Sequence, residues 1–116
     1  MKNKIGVQLN SIKTNNKIVS VLKQSQKFHL PYLTIYLTKN SNKSLVEYAL
    51  LVNKSQFRLA TTRNKIKRQL RAILSTGDFK GGIKLLIKPN TLFLKKEFLQ
   101  IQKSITSIIR KYQNGK

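Results

Sequence analysis

The chain has 116 residues, enough for one domain with a modest hydrophobic core, and carries 24 Lys and Arg against three acids, Glu47, Asp78 and Glu97, for a net charge of +21. It has no cysteine, which excludes disulfides and Cys-based zinc sites, and one histidine, His29, which leaves no triad, acid/base pair or metal cluster at recognisable spacing. A biased composition would enrich Lys without removing the carboxylates, so a charge this one-sided points to a polyanionic partner.

The N-terminal stretch MKNKIGVQLNSIK has no apolar run of seven or more, so no signal peptide is expected. No segment approaches the roughly 18 apolar residues of a membrane span. A soluble, cytoplasmic, single-domain protein over residues 1–116 is expected, with 1–11 and 114–116 flexible. From Thr14 to Gln24, Ile18, Val19 and Leu22 repeat at helical spacing, predicting a short first helix. In PYLTIYLTK the side chains alternate: Leu33, Ile35 and Leu37 point one way, and Tyr32, Thr34, Tyr36 and Thr38 the other. LVEYALLVNK (45–54) predicts a second strand, or two broken by an irregularity, buried on both faces over part of its length.

Residues from about Ala60 to Ser75 predict a central helix with Leu59, Ile66, Leu70, Ile73 and Leu74 on one stripe. Wound at 100° per residue, Arg63, Lys67, Arg71, Asn64 and Arg68 follow one another over about 140° beside that stripe. After the glycine-bearing loop STGDFKGG, GIKLLIK (82–88) predicts a strand stopped by Pro89. Asn90 or Thr91 then caps a last helix in which Leu94, Phe98, Ile101, Ile105, Ile108, Ile109 and Tyr112 keep the helical period. The order helix, strands, helix, strand, helix predicts a small α+β domain with a three- to four-stranded sheet packed against helices. The central and last helices are expected on Leu33, Ile35 and Leu37, leaving the Thr34 and Tyr36 face open or partly covered by the first helix.

The stretch TTRNKIKRQLR (61–71) contains no acid. Like charges four residues apart, Arg63 with Lys67 and Lys67 with Arg71, each cost a helix a few tenths of a kcal/mol, so an external anion explains this face better than solvation does. Four of the five arginines, Arg58, Arg63, Arg68 and Arg71, lie within 14 residues, and their planar forks match phosphate. Asn64 either caps the first turn or hydrogen-bonds a ribose or base edge. Thr34 and Tyr36 form either an ordinary half-exposed strand face or a platform for stacking unpaired bases. His29 is expected in a structural or solvent-exposed role, and Glu47 and Glu97 as counter-ions. With no GxGxxG, P-loop or zinc signature, no cofactor is expected on the protein itself.

The run Arg63, Asn64, Lys65, Lys67, Arg68 and Arg71 opening a helix resembles the signature of the bacterial ribonuclease P protein component. VNKSQFRLA resembles the strand end ahead of that motif, with Lys54 matching one of the family's lysines, and IYL and KP fall at its Tyr-bearing first strand and at the Pro closing its last strand. The likeness covers about residues 12 to 113. It implies an α+β fold with a left-handed crossover, against the usual right-handed rule. It further implies the single small protein subunit of a ribozyme that removes the 5′ leader of precursor tRNA, with magnesium held in the RNA-containing holoenzyme. On this basis Lys54, Arg58, Arg63, Asn64, Lys65, Lys67, Arg68 and Arg71 would meet the catalytic RNA, and Ile18, Leu22, Thr34, Tyr36 and Asn53 would line the leader cleft. Ile18 and Leu22 stand where the family usually has Phe, Ser55 where a second lysine is common, and Ala72 where a Glu often follows.

The expected function is therefore the protein subunit of ribonuclease P, binding its RNA and the 5′ leader, monomeric when alone and contributing no nucleophile. The alternative is a ribosomal or other structured-RNA-binding protein without a processing role. A binder of anionic membranes fits the charge but not the alternating polar and aromatic strand.

Overall fold

The structure is a computed structural model that describes residues 8–11, 23, 25–40, 43–77 and 80–114. The expected first helix, with Ile18 and Leu22, falls outside them apart from Lys23. In chain order the elements are β1 (Gln8–Ser11), β2 (Gln26–Leu30), β3 (Leu33–Lys39), β4 (Leu45–Leu50), α1 (Ala60–Thr76), β5 (Ile83–Pro89), a 3-10 helix (Thr91–Lys95) and α2 (Phe98–Asn114).

The strands form one mixed sheet of order β1-β4-β5-β3-β2. β5 lies between an antiparallel β3 (Ile35 opposite Ile87) and a parallel β4 (Tyr48 opposite Leu85). The β4–α1–β5 connection joins two parallel neighbours, and it is the crossover whose left hand the family likeness implies. Two short edge strands raise the count above the three to four expected. β2 makes a hairpin with β3 through Pro31–Tyr32. β1 falls within the stretch expected to be flexible, yet it pairs in parallel with β4 and packs Leu9 against the core. Four residues carry too little periodicity to be read as a strand; the open edge of β4 supplies their partners.

Alternation along β3 and β5 sorts the sheet into two faces. Leu33, Ile35, Leu37, Ile83, Leu85 and Ile87 are buried against Ile66, Leu70, Ile73 and Leu74 of α1 and Ile101, Ile105 and Ile109 of α2. Phe57, Phe93 and Tyr32 close the ends of this core. Tyr32 thus departs from the polar side expected for it, because it belongs to the hairpin turn and not to the alternating strand. Phe28 meets Tyr112 edge to face at 6.1 Å, seating the C-terminal half of α2 on β2.

Three segments end differently from their periodicity. β4 stops at Leu50, and 51–59 is a loop rather than a continuation to residue 54. Asn90 caps the 3-10 turn, accepting from the Leu92 amide at 2.9 Å, and the chain straightens at Lys96 and Glu97 before α2 begins. Leu94 and Phe98 are therefore exposed instead of continuing the α2 stripe, and Leu59, at the N-cap of α1, is 67% exposed. In the remaining loop, Gly82 has φ +89°, and a Cβ on Gly81 would meet the Lys43 carbonyl oxygen at 2.6 Å. Both positions require glycine: one for its backbone conformation, the other for the close approach of the 43–45 backbone.

Candidate nucleic-acid interface

α1 is the element that gathers the cations. Its buried stripe faces the sheet, and the neighbouring arc carries half-buried Arg63 and Lys67 followed by exposed Asn64, Arg68 and Arg71, as the helical wheel requires. Lys65 is exposed further round the helix. The first turn holds no acid and Leu59 makes no side-chain cap, so the positive end of the helix dipole adds to these charges uncompensated. Asn64 lies inside the helix, so the first-turn capping role does not describe it.

Lys54 and Arg58, both exposed, lie in the loop ahead of α1. That loop is tightly built. Asn53 Oδ1 accepts from the Ser55 amide and hydroxyl at 2.8 Å, its carbonyl accepts from Gln56 and Phe57 at 3.2 and 2.9 Å, and Phe57 is buried. Arg63 Nη1 donates to the carbonyls of Phe57 (2.8 Å) and Arg58 (2.9 Å), so part of the fork expected to face a phosphate turns inward.

The second surface is the sheet face away from the helices. Tyr36 and Leu51 pack around Ala49 and Leu86 there, and His29 Nδ1 lies 3.1 Å from Thr34 Oγ1 across β2 and β3. Register places Lys27 opposite Tyr36 and Lys88 opposite Thr34, and Lys84 opposite both Thr38 and Glu47. Lys84 and Lys88 were legible as the polar partners in IKLLIK, and Lys27 only after β2 was known. Glu47 accepts a hydrogen bond from Asn40 Nδ2 at 3.2 Å. Asn53 sits beyond the end of β4, with its side-chain oxygen committed to the turn, while Ile18 and Leu22 lie outside the described residues.

A pocket lined by Ser11, Ala49, Leu51, Lys67 and Arg71 joins the two surfaces. Of its apolar lining, Ala49 and Leu51 belong to the cluster around Tyr36 and Tyr48 and Leu50 to the helix-side core, and its cationic wall belongs to α1. Among the described residues no three His, Asp or Glu side chains are grouped to hold a metal ion, and no helix is long and apolar enough to cross a membrane.

Comparison with known proteins places the chain in a family. The family model Ribonuclease P matches residues 8–113. The chain is 30% identical over 113 residues to the ribonuclease P protein component of Ureaplasma urealyticum, covering 91% of this chain and 93% of that one. It is 25% identical to that of a Pseudanabaena species, covering 88% and 90%. Among solved structures, the ribonuclease P protein of Thermotoga maritima superposes with a TM-score of 0.74 at 18% identity, covering 88% of this chain and 96% of that one. That of Staphylococcus aureus gives 0.72 at 21%, covering 92% and 97%. Sheet, helices and acid-free cationic helix face thus occur together in a chain that belongs to the ribonuclease P protein component family.

Proposed function

We propose that this chain serves as the protein subunit of ribonuclease P by binding the catalytic RNA through α1 and the 53–58 loop, and the 5′ leader of precursor tRNA along the Tyr36 face of the sheet. The observation that carries the reading is the cationic arc of α1, free of acids and with Arg68 and Arg71 exposed, in a member of this family. Exposed Arg68, Arg71, Lys65, Lys54 and Arg58 supply point charges and forks for phosphates, and Asn64 supplies a paired donor and acceptor for a ribose or base edge. Tyr36 offers a ring on which an unpaired base stacks irrespective of sequence, with Lys27 and Lys88 beside it to hold the backbone.

The protein's part is binding energy and electrostatics. With three carboxylates scattered along the sequence and a single histidine, no acid/base pair is assigned to the protein in this reading, and magnesium belongs to the RNA-containing holoenzyme. The free chain is a cytoplasmic monomer in this reading. Reconstitution with a bacterial ribonuclease P RNA tests it: at low magnesium the protein should accelerate removal of the leader from precursor tRNA. Absence of stimulation, with binding to unrelated structured RNA retained, would favour an RNA-binding protein without a processing role. Cleavage by the protein with no RNA present would refute the noncatalytic assignment.

A further inference from the structure

We propose that Arg63 is a positioning residue, one that latches the 53–58 loop to the first turn of α1 and so holds Lys54 and Arg58 in fixed register with Arg68 and Arg71. The ligand in this proposal rests on the ribonuclease P reading; the latch itself does not.

The loop and the helix are joined at three levels. The Asn53 side chain and carbonyl fold residues 53–57 into a turn. Phe57, 2% exposed, anchors that turn in the core. Two carbonyls at its far end, those of Phe57 and Arg58, converge on the single Nη1 of Arg63 at 2.8 and 2.9 Å, so both Nη1 hydrogens are spent within the protein. Hydrogen bonds from a charged donor are stronger than neutral ones, and here they cross-link residues five and six positions apart where no regular element joins them. The backbone amide of Arg63 also makes the 3.1 Å helical bond to Leu59, so main chain and side chain tie the same junction.

The consequence is electrostatic. Lys54 and Arg58 are exposed and carry charge that an RNA would meet, but a loop free to move would have to be ordered on binding. With the latch closed, the cations of loop and helix form one preorganised surface. Arg63 itself is half-buried, unlike Arg58, Arg68 and Arg71, as a residue directed at its own backbone should be.

Two measurements test this. In the free protein, hydrogen exchange of the Gln56 and Phe57 amides, both bonded to the Asn53 carbonyl, should accelerate about tenfold or more in Arg63→Ala, while Leu85 and Ile87 in the central strand keep their rates. Arg63→Lys retains the charge and much of the stem, guards against a variant that merely unfolds, and should show the same selective loss. Unchanged exchange at Gln56 and Phe57, or uniform acceleration through β5 in both variants, would overturn the latch. For RNA, Arg63→Ala should weaken binding to ribonuclease P RNA about tenfold in the wild-type background, and less than about twofold once Lys54 and Arg58 are both alanine. Equal losses in the two backgrounds would make Arg63 an independent ligand. Failure of the unaltered chain to prefer ribonuclease P RNA would sink the subunit reading, and exchange in the free protein would still decide the latch.

Discussion

Arg68 and Arg63 lie five residues apart on one helix, and the wheel assigns both to the cationic arc, but the structure treats them differently. Arg68 is exposed, whereas Arg63 spends its Nη1 hydrogens on Phe57 and Arg58. Residue identity and phase were enough to find the set of cations, because each is chemically suited to phosphate. They could not show that two carbonyls lie within reach of one of them, since that depends on how Phe57 folds the preceding loop into the core. Arg68→Ala should therefore remove one phosphate contact and lower the slope of log K against log salt by about 0.7–0.9 in RNA titrations. An unchanged slope would assign Arg68 to solvent.

Among the elements, α1 was legible nearly to its ends because a strong apolar stripe coincides with helix-forming residues. The last helix was legible in type but not in its start. Asn90 fits an N-cap, and it is one, yet for a 3-10 turn: its Oδ1 accepts from Leu92 while its Nδ2 donates to the Pro31 carbonyl at 3.0 Å and its amide to Tyr32 at 3.1 Å. It ties the β2–β3 turn to the end of β5, a long-range role that no local pattern encodes. Asn90→Ala should cost about 1–3 kcal/mol and lower Tm by several degrees in thermal unfolding. A Tm within about 1 °C of the unaltered protein would contradict this bridging role.

For the whole molecule, the net charge of +21 on 116 residues is a standing cost to the folded state, met in the function proposed here by a polyanion. Raising ionic strength from about 10 mM to about 0.15 M shortens the screening length from roughly 30 to 8 Å, so Tm of the free protein should rise. A ligand that binds the folded form alone adds to this, by about 2.7 kcal/mol at 100 times its Kd, so ribonuclease P RNA should raise Tm further. A flat or falling Tm with salt in the free protein would show that self-repulsion is not what limits its stability.

The sequence by itself determined the α+β class, the two long helices, the two-faced β3 and the acid-free arc of α1, because each depends on local periodicity and on which side chains are present. Only the tertiary structure decided the order β1-β4-β5-β3-β2, the exposure of Leu59 and Leu94, the burial of Tyr32, and the pocket where Lys67 and Arg71 meet Ala49 and Leu51. Period sets the direction in which a side chain points. What lies in that direction is set by contacts between residues far apart in the chain, and those contacts place the α1 cations beside the Tyr36 cluster and turn Arg63 inward.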